Sequence, residues 1–178
     1  MSGLKSEYLA NILVVDDDLN NLRLLTEVLS RYGYEVRPIR DGEIVFSAVQ
    51  AKQPDLILLD IMMPFMNGYE VCEQLKNNDK TRHIPIIFLS ALYDTNDKVK
   101  AFSRGGVDYI TKPFQAEEVI ARIENQLQIC RLQKQLKEQN EKLQQEIRER
   151  QLIEEQLRSS QAEIRGFFEA MADIVIIV

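Results

Sequence analysis

Four consecutive apolar residues, Leu56-Ile57-Leu58-Leu59, stand between Asp55 and Asp60, and Pro64 follows shortly after. The run is too short for an ordinary helix and is stopped by the proline, so it predicts a strand with no polar face. Such a strand has to be covered on both sides, which excludes a sheet with one face open to water. Asp60 then stands at the strand's C-terminal end, where open parallel sheets collect their ligand chemistry. A lone Asp there would read as a loop cap; its meaning depends on what the other strand ends carry.

The same grammar repeats along the chain. Ile12-Leu13-Val14-Val15 is a buried-strand signal ending in Asp16-Asp17-Asp18, and Leu22, Leu25, Val28 and Leu29 follow at helical spacing up to Gly33. Tyr34 to Ile39 reads as a second strand, Gly42 to Ala51 as a helix, and Asn67-Gly68 as the opening of a helix with Val71, Cys72 and Leu75 on its inner face. Ile84 to Leu89 is a fourth strand, with Pro85 near its start, and it ends at Ser90. A helix capped by Asp94 or Thr95 runs to about Arg104, Gly105-Gly106 turns the chain, and Val107 to Thr111 is a fifth strand before Lys112-Pro113. Strands alternating with helices at this spacing imply an α/β fold, a doubly wound parallel sheet of five strands.

Beyond Gln115 the composition shifts. From Ala116 to about Ala170 there is no proline and Gly166 is the only glycine, which predicts one helix of roughly 80 Å at 1.5 Å per residue. Val119, Ile120, Ile123 and Leu127 are placed to pack on the sheet. After them Ile129, Leu132, Leu136, Leu143, Ile153, Leu157, Ile164, Phe167 and Met171 share one a/d frame, which Gln139, Glu146, Arg150 and Ser160 interrupt. A helix with one narrow apolar stripe needs a partner helix, and a parallel homodimeric coiled coil is expected. Ile147 lies one place outside the frame, as a stutter requires. Glu138 with Lys142, Glu146 with Arg150 and Glu154 with Arg158 are favourably ordered pairs along it.

Asp16, Asp17, Asp60, Ser90 and Lys112 thus project from one sheet edge. Converging carboxylates repel unless a cation sits among them, and Mg²⁺, a small hard ion with oxygen ligands, fits that set. Ser90 offers a hydroxyl and Lys112 a cation for the other oxygens of a phosphoryl group. No Gly-rich nucleotide loop and no Ser/His/Asp or Cys/His arrangement accompanies them, but a carboxylate can itself attack phosphorus.

Val14-Val15-Asp16-Asp17, Leu58-Leu59-Asp60-Ile61-Met62-Met63-Pro64, Asn67-Gly68, Leu89-Ser90-Ala91 and Asp108-Tyr109-Ile110-Thr111-Lys112-Pro113-Phe114 occur in the order and spacing of a known family. From Asn11 to about Leu127 the chain closely resembles the receiver domain of two-component response regulators. The resemblance implies a flavodoxin-like fold and phosphoryl transfer to Asp60 from a histidine kinase or histidine phosphotransfer protein. It implies Mg²⁺ on Asp17, Asp60 and the backbone carbonyl of Met62, with Asp16 acting mainly through water. Ser90 and Tyr109 would be the switch residues, Lys112 would pair with the new charge, and the Lys112-Pro113 bond would be cis. Phe65 is bulkier than the residue often found at its position. The receiver would catalyse only its own phosphorylation and dephosphorylation, with any histidine kinase or nucleotide cyclase activity lying beyond Val178.

The expected division is 1–128 receiver, 129–165 coiled coil and 166–178 the opening of a further domain, whose Ile174 to Val178 run reads as a strand and resembles the start of a PAS domain. Two other functions compete. A haloacid-dehalogenase-like phosphohydrolase also uses an Asp nucleophile, but Asp16-Asp17-Asp18-Leu19-Asn20 lacks the Thr or Val of that motif; a silent receiver would serve only as a dimerisation scaffold. The formal net charge of −6 comes with both signs spread along the chain, so nucleic acid is not an expected partner. Cys72 and Cys130 form no metal or disulfide pattern and read as thiols of a cytoplasmic protein, and no stretch in this segment is long enough to enter a membrane. His83, the only histidine, reads as a surface residue rather than a phosphoacceptor.

Overall fold

The computed structural model describes residues 8–90 and 105–175, apart from the side chains at 170 and 172–175. The helix expected from Asp94 or Thr95 to Arg104 lies outside the described residues. The strands are β1 (Asn11–Val15), β2 (Glu35–Ile39), β3 (Leu56–Asp60), β4 (Ile86–Ser90) and β5 (Asp108–Thr111). The helices are α1 (Leu19–Arg31), α2 (Val45–Ala51, entered through a 3-10 turn at Gly42–Ile44), α3 (Gly68–Lys76) and α4 (Ala116–Val175). All pairings are parallel, in the order β2-β1-β3-β4-β5. This is the flavodoxin-like doubly wound sheet, whose strand order reverses between β1 and β3.

Every residue of β1, β3 and β4 is buried, as unbroken apolar runs require. Successive side chains point to opposite faces. Ile12, Val14, Leu58 and Ile110 therefore pack with Leu25, Leu29, Val119 and Ile123 under α1 and the first turns of α4. Leu13, Val15, Leu59 and Phe88 pack with Val45, Val49, Val71 and Leu75 under α2 and α3. Each such fully buried side chain contributes about 1.5–3 kcal/mol by leaving water.

The expected element boundaries shift for local reasons. Tyr34 is buried but precedes β2, because its N–H donates back to the Leu29 carbonyl at the end of α1. Asp41 accepts from the Glu43 N–H and tightens the first turn of the expected helix into the 3-10 form. β4 starts after Pro85, which has no N–H to donate, although its carbonyl accepts from Ile57.

The chain divides into two compact units, Met1–Cys130 and Arg131–Val178. In the second unit every described side chain is exposed, including Leu132, Leu136, Leu143, Ile147, Ile153, Leu157, Ile164, Phe167 and Met171. Among the described residues the ion pairs there are Lys137–Glu141 and Arg165–Glu169, and the three pairs expected from charge order are not closed. Exposed pairs of this kind contribute little, so the helix does not depend on which ones form. Helix α4 continues through Val175, so Ile174 and Val175 are helical rather than extended, and residues 176–178 lie outside the described residues. Among the described residues no helix is long and apolar enough to cross a membrane.

Candidate functional site

The C-terminal ends of β1, β3, β4 and β5 bring the expected polar residues together because all strands run the same way. Asp16 follows β1 and is fully buried; Asp60 ends β3 and is 3% exposed; Asp17 is half-buried. One carboxylate oxygen from each of the three lies within 4.8 Å of the others. Lys112, just after β5, places Nζ 2.8 Å from Oδ2 of Asp16 and 2.9 Å from Oδ2 of Asp60. Its peptide bond to Pro113 is cis. Ser90 ends β4 in a buried position beside Thr111, and its carbonyl accepts the Lys112 N–H at 2.7 Å.

The two aspartates that touch Lys112 differ in what else holds them. Asp16 accepts from the Asp18 N–H at 2.9 Å, and Nδ2 of Asn21 donates to both of its oxygens at 3.2 and 3.0 Å. Among the described residues, Asp60 has, besides the lysine, only the long contact from the Met62 N–H, at 3.4 Å. Burial pushes the Asp60 carboxyl above its ordinary value, aided by the charge of Asp16, and the lysine and the Met62 N–H offset this only in part. Burial also pulls on Lys112, but its hydrogen bonds to Asp16 and Asp60 outweigh that and hold its pKa above the usual one. The two directions agree once burial is seen to govern the less well-bonded Asp60 and ion pairing the lysine. Among the described residues one cation faces three carboxylates, so the site has room in charge, and the all-oxygen donor set to match, for a small divalent ion.

The loop after β3 is shaped to leave Asp60 approachable. Gly68 begins α3 so close to the strand end that a Cβ on it would lie 2.2 Å from the Asp60 carbonyl oxygen. Asn67 caps that helix in a reciprocal box with Glu70, accepting from its N–H and donating its own N–H to the Glu70 carboxylate. Between them Met62 is largely exposed, and Phe65 is almost fully exposed with φ 67°, a left-handed conformation unusual for a bulky side chain. Tyr109, the other expected switch residue, is half-buried in the middle of β5.

Three participants escaped the sequence reading. Asn21 belongs to α1 by position, and nothing in its spacing marks an amide aimed at Asp16. Arg40 donates to the Asp17 carbonyl at 3.4 Å from Nε and 3.2 Å from Nη2, holding the first acidic loop from the far end of β2. Arg122, on α4, pairs with Asp108 and Glu118. A polar residue directly after a strand is a readable signal, whereas these three reach the site's surroundings from other elements.

Comparison with known proteins agrees with the geometry. Residues 12–124 match the family described as the response regulator receiver domain. A probable transcriptional regulator, ycf27, of Cyanophora paradoxa is 44% identical over 116 residues, 65% of this chain and 47% of that protein. A probable cyclic di-GMP phosphodiesterase of Vibrio cholerae is 38% identical over 136 residues, 76% of this chain and 31% of that protein. The crystal structure of a putative response regulator from Chloroflexus aurantiacus superimposes with a TM-score of 0.64 at 34% identity, covering 66% of this chain and 97% of that one. The chain spans less than half the length of these two curated relatives.

Proposed function

The chain belongs to the response regulator receiver family, and from that premise we propose that Asp60 accepts a phosphoryl group from a histidine kinase or a histidine phosphotransfer protein. The observation that carries the proposal is the buried, sparsely bonded Asp60 facing Asp16, Asp17 and Lys112. An oxygen of Asp60 forms a bond to phosphorus as the phosphorus–nitrogen bond of the donor phosphohistidine breaks, and the imidazole leaves with a proton taken from solvent. Mg²⁺ would be held by Asp17, Asp60 and the backbone carbonyl of Met62, with Asp16 through water, and would offset the charge gathered by the carboxylates and the phosphoryl oxygens. Lys112 then exchanges its contact with the Asp60 carboxylate for the new phosphoryl charge. Ser90 donates its hydroxyl to a phosphoryl oxygen, and the Tyr109 ring shifts in step.

The same reading extends to the second unit. Its exposed stripe pairs in parallel with that of a second copy, so that two receivers deliver their state to two downstream modules at one end. Glu146 and Arg150 weaken the seam at its middle, and Ile147 supplies a stutter there, which lets the pairing respond to Asp60. The segment works in the cytoplasm, where its phosphoryl donors are.

The test is labelling with Mg²⁺ and a small acyl phosphate, or with the phosphoryl mimic beryllofluoride, located by mass spectrometry. Label on Asp60 alone, lost in Asp60→Asn and on chelation of Mg²⁺, supports the reading. Sustained turnover of phosphate esters would instead mark a phosphohydrolase, and absence of any label a silent scaffold.

A further inference from the structure

Arg122 lies on α4 shortly after its start at Ala116, on the helix that covers the face of the sheet containing Ile110. β5 is the edge strand among the described residues, and its side chains alternate between faces. Ile110 belongs to the core under α1 and α4, and Asp108 shares its side; Tyr109 packs instead against the opposite core, with Phe88. Nη1 of Arg122 donates to both carboxylate oxygens of Asp108 at 2.8 Å, while Nε and Nη2 each lie 2.9 Å from Oε1 of Glu118. Fixed from two directions, the guanidinium lies 5.6 Å from the centre of the Tyr109 ring. The Asp108 oxygen that Arg122 grips also accepts the Tyr109 N–H, at 2.9 Å. One side chain from α4 thus holds Tyr109 by its ring and, through Asp108, by its backbone.

We propose that Arg122 is a positioning residue that holds the Tyr109 ring in its present place and passes movement of that ring to the opening turns of α4. The proposal rests on the reading of Asp60 as phosphoacceptor and of Tyr109 as the ring that shifts with it. A surface ion pair alone would need only Asp108 or Glu118, and would gain nothing from a planar cation set against an aromatic face. The geometry matches a cation–π contact, which a shifting ring has to give up. By linkage, whatever holds the ring in place opposes loading of Asp60, and loading in turn loosens the hold on α4.

The experiment uses the full chain with Mg²⁺, titrated with beryllofluoride, and follows hydrogen exchange in two peptides, one containing Asp60 and one covering residues 116–127. In the wild type both respond. Arg122→Gln is expected to keep the response at Asp60, with a midpoint lowered roughly two- to five-fold, the worth of one partly exposed cation–π contact, and to lose the response in 116–127. Arg122→Lys, which keeps the charge but not the planar fork, is expected to behave like the glutamine variant. In a Tyr109→Leu background, Arg122→Gln is expected to move the midpoint no further. A wild-type midpoint and a wild-type response in 116–127 for Arg122→Gln would overturn the proposal, as would a full additive shift on top of Tyr109→Leu. Absence of loading in the wild type would overturn the phosphoacceptor reading and this proposal with it; normal loading with an unaltered α4 response overturns this proposal alone.

Discussion

Leu58 and Leu143 are the same residue in opposite situations. Leu58 lies in a strand covered on both faces by helices of its own chain and is completely buried, whereas Leu143 lies on a helix with more than half of its surface in water. The first unit covers the apolar runs of β1, β3 and β4 internally, each run finding a helix a few tens of residues away. The second unit repeats apolar residues just as regularly, but along a single helix, where the stripe has nothing to fold back on. The comparison teaches that regular apolar patterning specifies a fold only where the chain also supplies the opposing surface; otherwise it specifies a partner.

The largest expected effect follows directly. Leu58→Ala should destabilise the first unit by about 2–5 kcal/mol in urea unfolding, as for other large-to-small changes in a packed core. Leu143→Ala should leave the same transition within about 0.5 kcal/mol and act on self-association instead. Equal destabilisation by both would mean that the helix stripe is part of the receiver's own core.

The two cysteines sharpen the contrast at lower amplitude. Burial pushes the Cys72 thiol from 9.0 up to about 11, while Cys130, where the first unit ends, is half-buried. Each unit of pKa is a factor of ten in thiolate, so an alkylating reagent near pH 8 should modify Cys72 at least about 100-fold more slowly than an ordinary thiol. Cys130 should react first. Comparable rates in native conditions would show that α3 opens readily and that the first unit is less self-sufficient than its packing implies.

The difference also explains which features the amino-acid sequence makes legible. β1, β3 and β4 were legible because strands buried on both faces are unbroken apolar runs, and the site residues were legible because Asp16, Asp17, Asp60 and Ser90 follow or end such runs while Lys112 directly follows β5. β2 was less sharp: as an edge strand it is only half-buried and carries the exposed Pro38. Asn21, Arg40 and Arg122 were invisible because their roles depend on where another element passes. At the far end, Ile174 and Val175 suggested a strand by their β-branching, but adding a residue to an existing helix is far easier than starting one, and their propensity penalty is small.

The smallest effect tests the tension inside the first unit. Burial raises the Asp60 carboxyl above its ordinary value in the folded state, so its protonated form favours folding. That contribution is fully present below the ordinary value and is lost as pH rises through the raised one. Without divalent ions, Asp60→Asn should therefore be more stable than the wild type near neutral pH, and the advantage should shrink as the solution is acidified toward pH 3.8, the ordinary carboxyl value. A destabilised asparagine variant at neutral pH would show that the bond to Lys112 outweighs burial.

The claim that the first unit is complete in itself while the helix stripe is completed by a second copy is tested most directly by sedimentation equilibrium of the full chain across a wide concentration range. A monomer–dimer equilibrium approaching twice the 20.7 kDa mass of one chain is expected. A mass of 20.7 kDa that does not change with concentration would contradict it.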